Sequence, residues 1–406
     1  MKWFKYLQPP AHRKKPFYAW QIELTTRCPL KCRMCVRSGF KDWYSGDMSY
    51  DNFKKLTPYL KDVERVVLEG WGESLLHKNL LEILRLVKAE GPEAGFVTSG
   101  KGLDKAYISE LINAGVDFIG FSLSGGSPRT HNSIRVNSDF EALLQDIKTF
   151  NEIKAGRKLK KPKLHIVYLM LMDNIFEIPS LIGIAKSIGI EDIILINLIH
   201  VSNEWQEKQR VFRCNKLENK NRVQGFKGLS ENKHSNPRIP KRDVIPSGLY
   251  DLDTLTPFSE QYGEILKEAE TKARELKINL KLPSLLPTEV SVCEENPLEN
   301  LYISTDGEVA PCVYLYPPVS SPFKRIFCSA ERQIEKLSFG NIFIEPFSDI
   351  WDKREYMDFR KCFMLRRERG GQPPLSAYMG SIRRKETSAL PKAPDQCTTC
   401  HKMLGV

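Results

Sequence analysis

Between residues 20 and 197 the sequence alternates six short apolar runs with longer stretches of helical periodicity, and this alternation constrains the fold more than any other feature. The strand-like runs fall at 21–24, 65–68, 95–98, 118–123, 164–169 and 192–196. Helical patterns lie between them at 50–59, 79–89, 105–114, 140–154 and 178–188, with apolar residues spaced three and four apart, as in Leu80, Ile83, Leu84 and Val87. Strands alternating with helices pair in parallel through right-handed crossovers. Six such units make roughly three quarters of an eight-unit barrel, whose functional loops lie at the C-terminal ends of the strands. Gly91, Gly115 and Gly189 stand where helices should end in a left-handed residue. The expected fold is therefore α/β: a partial (β/α)6 TIM-like barrel, followed by a small C-terminal α+β domain.

The loop after the first strand carries Cys28, Cys32 and Cys35 at spacing C-x3-C-x2-C. Such a loop can turn three thiolates to one point, and soft thiolates select iron–sulfur clusters, zinc or copper(I). A closed structural zinc site wants four ligands. No fourth cysteine is near, and the next histidine is His77. Three thiolates on a [4Fe–4S] cluster leave one iron free for a small molecule; a zinc knuckle is the competing reading. After the second strand comes Gly70-Trp71-Gly72-Glu73, two glycines that let backbone approach a ligand, with a carboxylate at the same mouth. After the fourth come Ser122, Ser124 and Gly125, then His131 and Arg135. Each of these residues also reads as an ordinary turn or surface group, but all fall at one end of successive strands.

The chain of 406 residues has room for two domains, and ten cysteines without an apolar signal segment point to metal or redox chemistry in the cytoplasm. No run approaches the roughly 18 apolar residues of a membrane span, so no membrane partner is expected. The net charge of +11 is dispersed, which fits a solvated surface; no nucleic-acid module is recognisable. Periodicity fails from 201 to about 253, a linker or lid, and returns as a helix at 258–276. Further on, Asp306-Gly307 between alternating apolar runs signals a hairpin that brings Cys312 back towards Cys293. Cys397 and Cys400 add an adjacent pair, and four such thiolates suit zinc or a second, closed cluster. Cys214, Cys328 and Cys362 remain; they read as ordinary buried thiols, with two or more of them ligating another cluster as the alternative.

The three strand-end motifs, in order and spacing, resemble the radical S-adenosylmethionine superfamily over about residues 18–200. Ser74 stands where the family usually has Pro and Ser124 where it usually has Asp. The resemblance implies that Cys28, Cys32 and Cys35 hold a [4Fe–4S] cluster whose open iron chelates S-adenosylmethionine. Met34 would pack on the adenine, and Gly70, Gly72, Glu73, Ser122 and Arg135 would line the cofactor. The activity implied is reductive cleavage to a 5′-deoxyadenosyl radical that takes a substrate hydrogen, fed by an external reductant such as ferredoxin or flavodoxin. The C-terminal pattern resembles the SPASM and Twitch domains, in the shorter Twitch-like form, with Cys293, Cys312, Cys397 and Cys400 on one auxiliary [4Fe–4S] cluster. Substrates of that subgroup are peptides, proteins and small metabolites. The rival classes are a non-catalytic iron–sulfur or zinc protein for electron transfer or scaffolding, and a nucleic-acid-modifying radical enzyme. The expected divisions are an N-terminal extension (1–18), the barrel (19–200), a basic linker or lid with its connecting helix (201–284) and the auxiliary domain (285–406).

Overall fold

A computed structural model of the chain describes residues 15–212, 214, 256–370 and 390–406. Most of the expected N-terminal extension and the stretch 215–255 of the expected lid lie outside the described residues. The barrel strands are β1 (Phe17–Ile22), β2 (Val63–Val67), β3 (Glu93–Thr98), β4 (Phe118–Leu123), β5 (Lys163–Met170), β6 (Asp192–Asn197) and β7 (Asn279–Lys281). The hairpin strands are β8 (Asn300–Ile303) and β9 (Val309–Ala310). Together they form one sheet in the order β7-β6-β5-β4-β3-β2-β1-β8-β9. Every pair in it is parallel except the β8–β9 hairpin. The six expected strands are all present as an open barrel, and the structure adds one strand at each side and the hairpin return.

Two differences from the sequence reading have simple causes. Phe17 and Tyr18, placed in the extension, belong to β1, because β8 arrives from the distant C-terminal part to pair with that strand. The expected helix at 50–59 is two short ones, α1 (Tyr50–Lys54) and α2 (Thr57–Leu60), with Pro58 in the first turn of the second. The other crossover helices are α3 (Leu80–Ala89), α4 (Lys105–Asn113), α5 (Pro128–Ile134), α6 (Phe140–Gly156) and α7 (Ile178–Ser187). Asp104 and Asp139 cap α4 and α6 by accepting from Tyr107 N and Ala142 N. Gly91, Gly115 and Gly189 take the left-handed conformation with φ of 99°, 84° and 74°. Then follow α8 (Glu204–Gln209) and α9 (Thr256–Leu276).

Alternation along the strands sorts two faces. Trp20, Ile22, Val66, Phe96, Ile119, Phe121, Ile166 and Tyr168 are fully buried against the helices, where Leu80, Ile83, Leu84 and Val87 of α3 meet them. Each such side chain contributes about 1.5–3 kcal/mol by burial. The opposite face, carrying Glu23, Glu69, Ser122 and His165, lines the barrel interior. Beyond the hairpin, β10 (Phe323–Phe327) and β11 (Ala330–Ile334) make a separate antiparallel ribbon, followed by α10 (Phe347–Trp351) and α11 (Arg354–Gly370).

Candidate active site and auxiliary thiolate cluster

The cysteine loop leaves β1 and is pinned at both ends. Thr25 Oγ1 donates to Asp47 Oδ1 at 2.6 Å, and Arg27 grips the same carboxylate with both Nε and Nη2, at 2.9 and 2.6 Å. Further along, Lys31 N and Arg33 N donate to the carbonyls of Val136 and Ile134, both at 2.9 Å, which ties the loop to the end of α5. Cys35 N donates to Cys32 O at 3.1 Å, turning the last two cysteines back on each other. The three thiols lie close enough to feel one another's charge. Burial pushes Cys35 up to about 12 and raises Cys28 and Cys32 as well, while Arg37 opposes it at all three and Arg135 at Cys32. These thiols therefore ionise only when a cation compensates them.

The arrangement also speaks to which cation. Two thiolates on one tetrahedral zinc stand about 3.8 Å apart, from Zn–S bonds of about 2.3 Å. Neither Cys28, Cys32 and Cys35 nor any three of Cys293, Cys312, Cys397 and Cys400 gather their sulfurs within 4.8 Å of one another. Wider spacing suits a cluster in which each thiolate meets its own iron.

Glu73 is buried at the end of β2, accepting from Thr98 Oγ1 (2.7 Å), Ser99 N (2.8 Å) and Ser99 Oγ (2.7 Å), and its charge reaches Cys28. The glycines before it serve the chain first. A Cβ on Gly72 would lie 2.1 Å from the carbonyl oxygen of Thr25, and one on Gly70 2.3 Å from Glu23 Oε1. The close approach expected towards a ligand is thus made towards the cysteine loop. Met34 is buried with Leu30, Cys32, Ile134, Leu171, Leu198 and Val201, an apolar patch at the mouth. Ser122 is half-buried between Phe121 and Leu123, which face the helices, so it faces inwards. Arg135 donates from Nε to Ser124 Oγ at 2.9 Å and also reaches the Cys32 thiol. His131 is fully buried, its Nδ1 accepting from Ser124 N at 3.3 Å; burial pushes it down to about 3, so it is a neutral brace.

Two carboxylates escaped the sequence reading, since nothing in the pattern separates them from strand residues. Glu23 accepts from Trp71 N at 2.5 Å and Tyr302 Oη at 2.7 Å. Burial, only partly offset by those bonds, raises it from 4.5 to about 7. The folded chain then holds this proton where the unfolded chain has lost it, so stability falls as pH rises from 4.5 to about 7. The slope is worth about 3 kcal/mol. Glu23→Gln should flatten it, read as unfolding midpoints of both proteins at about pH 5 and about pH 8. Glu69, at the end of β2, is raised to about 8 by burial and then by the charges of Glu73 and Glu295.

The second thiol group forms as the hairpin predicts. The Asp306-Gly307 turn, with φ +90° at Gly307, folds β9 back on β8 and returns Cys312 to the neighbourhood of Cys293. Cys397 and Cys400 come in from the chain end, and the four thiols interact mutually. Burial pushes Cys293 up to about 12, and Cys312 and Cys397 are raised strongly too. Two buried arginines hold the frame. Arg325 donates to the carbonyls of Tyr314, Gln396 and Thr399 at 2.9, 3.3 and 3.5 Å. Arg366 donates to Ser291 O at 3.1 Å, Val290 O at 2.8 Å and the carbonyl of Pro391. The backbone on both sides of the four cysteines is thereby fixed without using the thiols.

Residues 22–181 match the radical SAM superfamily, and residues 293–401 match SPASM, an iron-sulfur cluster-binding domain. Open barrel, three-thiol loop and both matches show a radical SAM domain followed by a SPASM domain. More particularly, they support a radical SAM enzyme with a SPASM auxiliary domain, whose cofactors are a [4Fe–4S] cluster, S-adenosylmethionine and an auxiliary iron–sulfur cluster. It is 23% identical over 347 residues to the tungsten-containing aldehyde ferredoxin oxidoreductase cofactor-modifying protein of Pyrococcus furiosus, covering 84% of this chain and 82% of that one. It is 22% identical over 348 residues to the Fe-coproporphyrin III synthase of Methanosarcina barkeri, covering 83% and 74%. In fold it resembles Streptococcus suis SuiB bound to precursor peptide SuiA, with TM-score 0.51 and 15% identity over 95% of this chain and 70% of that one. Among the described residues no helix is long and apolar enough to cross a membrane.

Proposed function

We propose that the chain oxidatively modifies a substrate held between the barrel mouth and the auxiliary site. The observation that carries this reading is the position of Glu69. It feels Glu73, which neighbours Cys28, and also Glu295, which neighbours Cys293 and Cys312. Glu73, Glu69 and Glu295 thus make a run of carboxylates, each within reach of the next one's charge, leading from one thiol group towards the other. When bound, the barrel cluster and S-adenosylmethionine supply a 5′-deoxyadenosyl radical that removes a substrate hydrogen, and the auxiliary cluster supplies a sink for the remaining electron. The chain's own residues position the substrate, and Glu69 takes the proton released as the substrate is oxidised. A carboxyl raised to about 8 is a competent base near neutral pH. The two relatives are named for work on a cofactor and on an iron coproporphyrin, and the similar fold of SuiB was solved bound to a precursor peptide. The substrate class is accordingly a peptide or a small cofactor-type metabolite, and the reductant is a ferredoxin or flavodoxin.

The test is anaerobic turnover of the reconstituted chain with reductant, scoring 5′-deoxyadenosine and product by mass spectrometry. Failure to form 5′-deoxyadenosine with both clusters present would return the chain to the non-catalytic electron-transfer class. Product formation should rise with pH towards about 8, because Glu69 acts as a base only when ionised. Glu69→Gln should lower product formation by about 10²-fold or more, with 5′-deoxyadenosine still released. Equal loss of both products would instead place Glu69 in cofactor binding.

A further inference from the structure

Cys214, Cys328 and His401, which neither thiol group uses, converge from three distant places. Cys214 follows α8, Cys328 sits in the turn between β10 and β11, and His401 lies at the chain end. Their ligand atoms lie within 4.8 Å of one another, the only such trio among the described residues. The imidazole is already oriented for ligation. His401 Nδ1 is 2.9 Å from the carbonyl oxygen of Ile199. A carbonyl only accepts, so Nδ1 carries the proton and Nε2 keeps its lone pair, the arrangement usual for a metal-bound histidine. Nε2 faces Cys328, whose N–H approaches only to 3.5 Å. Phe212 and Phe327 wall the ring, with centroids at 5.3 and 5.0 Å. Arg210 Nη1 donates to Cys214 Sγ at 3.5 Å, a charge that favours a thiolate there.

The backbone supports a functional reading. Cys328 and Ser329, at φ +47° and +65°, are the two central residues of the β10–β11 turn. Such turns favour glycine or asparagine. A cysteine held there against its preference marks a position selected for its side chain. Cys214 and Cys328 have Cα atoms 5.3 Å apart, with their sulfurs at bonding distance. The structure records the pair as a disulfide; once it is reduced, Cα atoms at that separation also allow the sulfurs to part to the roughly 3.8 Å of two thiolates on one ion. Seven other cysteines in this chain are needed as reduced cluster ligands, and conditions that keep those reduced keep this pair reduced too. We propose that, in the reduced chain, Cys214 Sγ, Cys328 Sγ and His401 Nε2 supply three ligands of a third metal site, for one soft divalent cation of the zinc type whose fourth position is left to water. The ion would clip together segments 114 and 73 residues apart: the chain leaving the barrel, the ribbon turn and the tail beside Cys400.

The test is metal analysis of the whole anaerobically purified chain, without added chelator. Wild type should carry about one zinc beside its cluster iron, and Cys214→Ser or Cys328→Ser should lose the zinc with iron unchanged. Zinc retained in both variants would overturn the assignment. So would a wild-type protein free of zinc whose non-reducing peptide map shows a Cys214–Cys328 disulfide. Cobalt(II) added to reduced, zinc-depleted wild type gives a second readout that needs no variant. Thiolate-to-cobalt charge-transfer absorption is expected at about one equivalent, and its absence would also overturn the site.

Discussion

Alanine at any one of Cys28, Cys32 or Cys35 should abolish 5′-deoxyadenosine formation and leave the chain folded. On the proposed assignment each thiol is one of only three ligands, and no substitute stands ready. His77, the next candidate along the sequence, has Nε2 engaged with Met48 O at 2.8 Å. Loss even of a group behind a metal ligand reduces activity 10–100-fold, so loss of the ligand itself should exceed about a hundredfold. The fold should survive because Asp47, Ile134 and Val136 hold the loop without the sulfurs. Iron should fall from about eight to about four atoms per chain, two clusters becoming one. A triple variant that still released 5′-deoxyadenosine at the wild-type rate would end the assignment of this loop.

Replacing Cys293, Cys312, Cys397 and Cys400 together gives the opposite pattern. About four irons should again be lost, yet 5′-deoxyadenosine should still form, uncoupled from substrate, while product disappears. This variant should also lose stability, because the site exists only in the folded chain and cluster binding is linked to folding. Arg325 and Arg366 should limit that loss, since their carbonyl partners flank the cysteines and do not depend on them. Unchanged iron in this variant would mean the ligands are misassigned. Wild type with about four irons and a zinc that leaves with these four cysteines would make the site structural, and its role as an electron sink would fail.

The sequence carried the barrel because each crossover helix buries one apolar stripe and each strand ends in a turn signal, as Leu80 to Val87 and Gly91 show. It carried the thiol loop and the hairpin for a related reason: spacing in sequence and closeness in space coincide over short stretches. Long-range relations were not legible. Nothing local in Phe17 to Trp20 announces pairing with Asn300 to Ile303, and nothing in Glu23 announces Tyr302 Oη. Cys214 and Cys328 could be read only as buried thiols or as ligands of some further cluster, because what brings them together with His401 is tertiary packing. Gly72 was legible as a site of close approach, but the approaching partner, the Thr25 carbonyl, was not.

The pairing of β8 with β1 sets an order on how this protein can be made. Ala19 N donates to Asn300 Oδ1 across 281 residues of chain. Synthesis at about 5–20 residues per second separates the two strands by roughly 15–60 s. Throughout that interval β1, and with it the root of the cysteine loop, has an unpaired edge. β1 is thus completed by a strand made 281 residues later, and a nascent chain stopped short of Asn300 carries the first thiol loop on an open sheet.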